Sequence, residues 1–363
     1  MKYTVNKEIR PAYLQIYRQL RDDIISGLYP YNTKLPSKRL LCDELGVSTV
    51  TIEHAYALLC DEGYVEARQR SGYFVIFRTN DGFMSSDVRE HRRRSSTPHT
   101  DEESTAEFPF SVLAKTMRAV ISDMGESILD RSQNSGCPEL REAIRQYLSR
   151  SRGIVADIEQ IIIGSGSEYL YTLIVELLGR DKIFAIESPS YKKIEQVYLS
   201  SSVKLQKLPL GEDGIDSSAL GSCGADVLHI SPYRSYPSGV TASASKRHEY
   251  LRWAAEGNRF IIEDDFESEF SVSKKAEETL FSHSTQDNVI YMNTFSKTLS
   301  PSLRVGYMVL PRRLVAPFEE KLGFYACTVP TYIQFVLAEL ISNGDFERHI
   351  NRVRRAKRKE LEK

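Results

Sequence analysis

Seven short apolar segments alternate with helical patterns over most of this chain, and this alternation limits the possible folds more than any other feature. The segments are residues 160–163, 182–186, 203–208, 226–230, 260–263, 289–292 and 306–310. Apolar runs of this length, separated by helical stretches such as 139–149, 168–178 and 246–257, are typical of βαβ units. The sequence therefore predicts an α/β domain with a mostly parallel sheet.

Two stretches of different texture precede the alternating part. Residues 1–77 have helical periodicity, whereas residues 78–106 are rich in Ser, Thr, Arg and Glu and hold almost no large apolar side chains. The sequence therefore predicts a small domain over 1–77, a flexible linker over 78–106 and a larger domain over 107–363. With 48 Lys and Arg against 49 Asp and Glu, the net charge is −1, which excludes nucleic-acid binding by bulk charge alone.

Cysteine usage and apolar content exclude further classes of protein. The five cysteines are scattered and form no CxxC pair, so neither a disulfide framework nor a structural metal site is predicted. The N-terminus lacks the apolar core of a secretory signal, and no apolar run approaches the length of a membrane span. We therefore expect a cytoplasmic protein with no metal ligands and no membrane partner.

The small N-terminal domain has the pattern of a helix-turn-helix. Pro11 precedes apolar residues at helical spacing, Ser37 and Ser48 stand at N-cap positions, and Gly46 separates two short helices. In such a motif, the first residues of the second helix face base edges. Residues 64–77 alternate like a β-hairpin with a basic tip, and a basic tip can contact phosphates or the minor groove.

The stretch LPSKRLLCDELGVSTVTIEHAYALLCDEGYVEARQRSGYFV resembles the winged helix-turn-helix of GntR-type transcription regulators. This resemblance implies double-stranded promoter DNA as a partner. It also implies the DNA contacts Lys34, Ser37, Lys38, Arg39, Ser48, Thr49, Thr51, Arg68, Arg70 and Gly72. Thr49 departs from the pattern, because many members carry arginine there. The alternative is a helical protein-interaction module, but the ordered match favours DNA binding.

Three segments of the larger domain carry residue types that suit a cofactor site. NTFSKTLS places Lys297 in a turn after a strand, where it is either an ordinary solvated lysine or a desolvated Schiff-base lysine. FIIEDDF runs into three carboxylates, one of which can face a pyridinium nitrogen. IIIGSGSE joins a strand, a small-residue turn and a helix start, which offers backbone N–H groups to an anion.

In this order and spacing, the three segments resemble fold-type I aminotransferases. The whole chain resembles MocR-type regulators, which fuse a GntR reader to an aminotransferase-like domain. GCPELREAIRQYLSRSRGI, ESPSYKKI and SPYRSYPSGV also match. The resemblance implies pyridoxal 5'-phosphate (PLP), with Lys297 forming the internal aldimine, Asp264 facing the pyridinium nitrogen and Tyr191 stacking on the ring. The residues implied for the phosphate are Ser165, Gly166, Ser167, Thr294, Ser296 and Arg304. Lys193 stands where some members place a substrate-binding arginine.

Two positions around the cofactor's phenolic oxygen depart from the aminotransferase pattern. Phe266 stands in place of a tyrosine, which removes one hydrogen bond worth about 1 kcal/mol, and Tyr236 stands in place of an asparagine. The small C-terminal domain of relatives, with its carboxylate-binding arginine, has no counterpart before Lys363. Efficient transaminase turnover is therefore not expected.

Three functions stay open at this point. The favoured one is a transcription regulator that senses PLP or an amino compound through Lys297. The second is an aminotransferase with an accessory DNA-binding domain, and the third is a DNA-binding fragment with a degenerate PLP domain. Because fold-type I sites usually lie at a dimer interface, the resemblance also implies a homodimer.

Overall fold

The computed structural model describes residues 3–5, 11–69, 71–78, 108–271 and 278–361. The chain divides into two compact units, 1–98 and 99–363. All of the predicted linker except Arg78 lies outside the described residues, so the domain boundaries stay a prediction. None of the described helices is long and apolar enough to cross a membrane.

The N-terminal unit is a winged helix-turn-helix. Its elements are α1 (Ala12–Ile25), α2 (Lys38–Leu45), α3 (Thr49–Asp61), β1 (Val65–Arg68) and β2 (Gly72–Val75). The predicted caps are confirmed: the hydroxyl groups of Ser37 and Ser48 accept hydrogen bonds from the backbone N–H groups of Leu40 and Thr51, and Gly46 ends α2 with a φ of 63°. β1 and β2 pair antiparallel as the predicted hairpin.

The larger unit alternates strands and helices, as the sequence predicts. Its strands are β3 (Ile161–Gly164), β4 (Ile183–Ser188), β5 (Lys204–Gly211), β6 (Gly214–Ile215), β7 (Val227–Ile230), β8 (Phe260–Asp264), β9 (Val289–Thr294) and β10 (Gly306–Val309). Its helices are α4 (Phe110–Met124), α5 (Pro138–Arg152), α6 (Ser167–Leu178), α7 (Lys192–Ser200), α8 (Ser217–Ser222), α9 (Ala244–Glu256), α10 (Leu280–His283), α11 (Arg312–Leu322), α12 (Thr331–Ser342) and α13 (Asp345–Leu361).

The strands form one sheet in the order β3-β10-β9-β8-β7-β4-β5-β6. β5, β4, β7, β8 and β9 are mutually parallel, whereas β10 is antiparallel to both of its neighbours and β6 is antiparallel to β5. The mostly parallel sheet is therefore confirmed. Its central strands are buried except at some of their ends, which explains their continuous apolar runs.

The pairing of β10 with β3 and β9 determines which loops lie next to each other. Gly306, the first residue of β10, pairs with Gly164 at the end of β3 and with Thr294 at the end of β9. The parallel register then places the carboxyl ends of β8, β7 and β4 at the same edge. Ligands of open α/β sheets bind at this edge, so the fold gathers the predicted cofactor residues in one place.

Candidate functional site

Asp264 ends β8 with a buried carboxylate that is only half satisfied. Its Oδ2 accepts a hydrogen bond of 2.5 Å from the Tyr171 hydroxyl group and lies 3.5 Å from His229 Nε2. Its Oδ1 is buried and has no hydrogen-bond partner among the described residues. Leaving a buried carboxylate oxygen unpaired is costly. The arrangement therefore suits a ligand that brings an N–H donor to this oxygen.

Two buried side chains beside Asp264 were not predicted from the sequence. Tyr171 lies on α6, where burial and then the Asp264 charge raise the pKa of its hydroxyl group, so that this group stays a donor. His229 lies on β7, and its Nδ1 is 2.6 Å from the Tyr198 hydroxyl group. A histidine inside the buried strand VLHI was an available signal, because polar side chains in such strands need partners.

Lys297 follows β9 in the turn that the sequence predicts. Its Nζ donates a hydrogen bond of 2.5 Å to Glu267 Oε1 and lies 4.8 Å from the centroid of the Phe266 ring. Glu267 Oε2 lies 3.7 Å from Arg234 Nε. Phe266 thus packs beside the lysine without offering a hydroxyl group. Glu267 was not among the predicted residues, because its role depends on a contact between two loops.

The predicted phosphate residues lie on two turns and one strand end at the same edge. Ser165 and Gly166 join β3 to α6, which begins at Ser167, while Thr294 ends β9 and Ser296 stands in the following turn. Gly166 has a φ of +95°, and a Cβ atom there would lie 2.9 Å from Arg304 Nη2. The Arg304 guanidinium therefore packs directly on the small-residue turn.

The predicted ring-stacking and substrate residues meet in a second cluster. The rings of Tyr191 and Tyr236 are 5.9 Å apart and nearly perpendicular. Lys193 Nζ lies 5.7 Å from the Tyr191 ring centroid and 3.4 Å from Glu168 Oε1. Tyr191 is half-buried, whereas Tyr236 is exposed. Lys193 is therefore already paired with a carboxylate.

A buried carboxyl group supports the loop that leads to Tyr236. Glu187 lies on β4, and its Oε2 accepts hydrogen bonds from the Ser235 hydroxyl group at 2.5 Å and from the Ser231 backbone N–H at 3.3 Å. Burial raises the pKa of Glu187 to about 7. The carboxyl group therefore takes up a proton more readily in the folded domain than in the unfolded chain.

The candidate DNA-binding residues occupy three parts of the N-terminal unit. Ser37, Lys38 and Arg39 start α2, and Ser48, Thr49 and Thr51 start α3. Lys34, Arg68 and Gly72 lie on or beside the hairpin, and Arg70 falls outside the described residues. Lys38 Nζ pairs with Glu53 at 2.8 Å, and Arg68 pairs with Glu66 at 2.6 Å. Arg39 is exposed and makes no ion pair with any described residue.

Two family models divide the chain between them. The model described as bacterial regulatory proteins, gntR family, matches residues 12–75, and the model described as aminotransferase class I and II matches residues 104–362. The uncharacterized HTH-type transcriptional regulator YdeL of Bacillus subtilis is 32% identical over 363 residues, covering 96% of this chain and 77% of YdeL. The probable rhizopine catabolism regulatory protein MocR of Rhizobium meliloti is 29% identical, covering 95% of this chain and 74% of that protein.

The chain belongs to the MocR-type GntR regulators. The pyridoxine biosynthesis regulator PdxR of Corynebacterium glutamicum is 26% identical, with 94% of this chain and 75% of PdxR covered. These findings confirm the family and the two-part fold that the sequence predicts.

Solved aminotransferases share the fold of the larger domain. The kynurenine aminotransferase of Pyrococcus horikoshii, in complex with PMP, superposes with a TM-score of 0.61 at 25% identity. LysN of Thermus thermophilus, complexed with N-(5'-phosphopyridoxyl)-L-leucine, gives a TM-score of 0.61 at 27% identity. Each match covers 68% of this chain, and the chain spans 64% of the length of either enzyme.

For this MocR-type regulator, the raised pKa of Glu187 predicts that the free energy of unfolding depends on pH. Between about pH 5 and 7, the folded domain holds a proton on Glu187 that the unfolded chain releases, so the free energy of unfolding falls as pH rises. Glu187→Gln should flatten this part of the profile. Urea unfolding, followed by fluorescence of Trp253, the only tryptophan, measures it. Glu176→Gln, which changes a half-buried carboxylate on α6, should keep the wild-type slope of unfolding free energy against pH. Equal slopes for Glu187→Gln and the wild type would contradict the prediction.

We expect Arg39 of the regulator to contact a DNA phosphate without sequence preference. Arg39→Ala should weaken binding to all DNA sequences several-fold and reduce the slope of log affinity against log salt by about 1, because one fewer counterion is released. Arg18→Ala removes the same charge from the exposed surface of α1 and serves as the matched control. Filter binding or fluorescence anisotropy over a salt series measures both. An unchanged slope for Arg39→Ala would show that Arg39 contacts no phosphate.

Proposed function

We propose that this chain is a PLP-binding transcription regulator whose N-terminal domain binds double-stranded promoter DNA. The larger domain holds PLP and senses either PLP itself or an amino compound that reaches Lys297. The observation that carries this proposal is the buried, unpaired Asp264 Oδ1, which lies at the same sheet edge as Lys297 and Arg304. The phosphopyridoxyl groups bound by LysN and the fold that LysN shares with this chain support PLP as the ligand.

The residues present fit three of the four polar groups of PLP, namely the ring nitrogen, the phosphate and the aldehyde. Asp264 Oδ1 would accept from the protonated ring nitrogen, and the hydrogen bond from Tyr171 to Oδ2 keeps the carboxylate oriented. The turn at Ser165–Ser167 offers backbone N–H groups to the phosphate, and Arg304 adds a guanidinium. When bound, PLP supplies an aldehyde for the Lys297 amine and a ring that withdraws electrons.

Two side-chain arrangements favour a sensor over an efficient aminotransferase. Lys193, the candidate for binding a substrate carboxylate, is paired with Glu168 at 3.4 Å. Phe266 packs beside Lys297 and has no hydroxyl group to orient the cofactor. This arrangement is compatible with ligand binding but lacks contacts that would speed turnover. We therefore rank regulation above catalysis.

The proposed partners follow from this role. Because promoter DNA is the proposed partner, we expect the protein in the cytoplasm. The likeness to fold-type I proteins implies a homodimer in which the cofactor sites lie near the subunit interface. Ligand binding would change DNA affinity only if a state that binds DNA well and a state that binds it poorly differ in their affinity for the ligand.

Absorption spectroscopy of the full chain with added PLP tests the proposal. The wild type should develop a band near the visible range that Lys297→Ala lacks, and borohydride should attach the cofactor to Lys297. Lys204→Ala, which removes an exposed lysine at the start of β5, should behave like the wild type. PLP should also change the affinity for promoter DNA. A chain that forms no band and whose DNA affinity ignores PLP would overturn the proposal.

A further inference from the structure

Glu168 binds Arg304, the cation proposed above to hold the phosphate of PLP. It lies in the first turn of α6, and its Oε2 accepts a hydrogen bond of 2.5 Å from Arg304 Nη2. Its Oε1 is 3.4 Å from Lys193 Nζ. Carboxylate and phosphate groups bind a guanidinium through the same donors and with similar geometry. The Glu168 carboxylate therefore uses guanidinium donors that an anionic ligand would also use.

Arg304 lies where Glu168 and the small-residue turn meet. The guanidinium packs against Gly166, where an added Cβ atom would lie 2.9 Å from Nη2. A phosphate that accepts the N–H groups of this turn would therefore approach the same guanidinium that Glu168 holds. Two negative groups around one partly desolvated cation repel each other.

Glu168 is ionised when it makes this contact. Burial by itself raises the pKa of the carboxyl group, but the hydrogen bond from Arg304 and the charges of Arg304 and Lys193 outweigh burial and lower the pKa. Lys193 also pairs with Glu168, so displacement of the carboxylate from Arg304 would break one ion pair and need not break the other.

We propose that Glu168 is a built-in competitor of the ligand's phosphate, which holds Arg304 in the ligand-free domain and is displaced when a phosphorylated ligand binds. This inference rests on the proposed function, because it concerns the same site. Its consequence is that Glu168 sets the PLP concentration at which the domain loads. The chain then responds to a rise in PLP instead of holding the cofactor permanently.

Titration of the full-length variants with inorganic phosphate and with PLP tests this competition. Glu168→Gln and Glu168→Ala should each bind both ligands about two- to fivefold more tightly than the wild type, because each removes the competing charge. Glu176→Gln removes a carboxylate from the same helix, where it pairs with Arg180, and should bind like the wild type. Calorimetry with phosphate gives a readout that does not depend on Lys297.

The outcomes separate this inference from the proposed function. If the wild type binds PLP and neither Glu168 variant binds phosphate more tightly, Glu168 is only a structural partner of Arg304 and the competition is refuted. If Glu168→Gln alone gains affinity, the new amide binds the phosphate and the competition is likewise refuted. If no variant and no wild-type protein binds PLP, the proposed function fails and this inference fails with it.

Discussion

Arg152→Met is expected to lower the free energy of unfolding of the larger domain by about 3–5 kcal/mol. The Arg152 side chain ends α5 and is 1% exposed, with Nε 3.1 Å from Asp265 Oδ2 and Nη2 3.8 Å from Glu269 Oε2. Methionine keeps most of the volume but removes the guanidinium between the two buried carboxylates. Their mutual repulsion and the cost of their burial then act against the folded state.

Urea unfolding followed by Trp253 fluorescence measures this loss, because Trp253 is the only tryptophan and lies on α9 of the larger domain. Arg150→Ala is the matched control. Arg150 stands two residues earlier on the same helix, and its 2.8 Å pair with Glu347 is exposed, so its removal should cost less than about 1 kcal/mol. If Arg152→Met and Arg150→Ala cost the same, the buried cluster does not stabilise the fold.

The pH dependence gives a second readout of the same cluster. In the native chain the pKa of Glu269 is raised to about 7, because burial and the nearby Asp265 charge raise it more than the Arg152 charge lowers it. Without Arg152, the folded-state pKa should rise again, so the variant loses more stability as pH increases from 6 to 8. A deficit that does not grow with pH would point to lost packing as its cause.

The sequence carries enough local information to predict most elements. Ser37 and Ser48 cap helices because a hydroxyl group before a helical pattern has a specific partner one turn ahead. All seven predicted strands occur. Six of them are largely buried and therefore have continuous apolar runs, whereas β5 is exposed or half-buried at all but one residue. The antiparallel direction of β10 was not predicted. The short connection between Thr294 and Gly306 was an available signal, since a parallel return needs a longer crossover.

The pairings inside the site could not be predicted in the same way. Glu168 and Arg304 are 136 residues apart, and Lys297 and Glu267 are 30 residues apart, so their contacts depend on which strand ends become neighbours. In EDDF, the resemblance to aminotransferases points to Asp264, but the residue types alone give no reason to prefer one carboxylate. The structure separates them, because Glu263 accepts N–H groups from the start of α10 and Asp265 faces Arg152, which leaves Asp264 with the unpaired oxygen.

Asp264→Asn is expected to weaken PLP binding about tenfold to a hundredfold. A hydrogen bond to a charged group contributes about 1.5–3 kcal/mol, and the asparagine amide offers the protonated ring nitrogen no negative charge. The carboxylate's other oxygen accepts from Tyr171, and an asparagine carbonyl oxygen can replace it there. Equilibrium titration with PLP, read by absorption and by quenching of Trp253 fluorescence, measures the change.

The free energy of unfolding of Asp264→Asn without PLP shows whether weaker PLP binding comes from a lost ligand contact or from a damaged fold. Because Asp264 Oδ1 is buried without a partner, replacing the carboxylate with an amide should leave the free energy of unfolding unchanged or raise it. Asp226→Asn is the control: Asp226 precedes β7 at the opposite edge of the sheet, accepts from the Ile183 backbone N–H at 2.9 Å, and should leave PLP affinity unchanged. Weak PLP binding by a variant of undiminished stability identifies Asp264 as a contact of the ring nitrogen. Wild-type affinity in Asp264→Asn would instead show that the unpaired oxygen does not meet the cofactor.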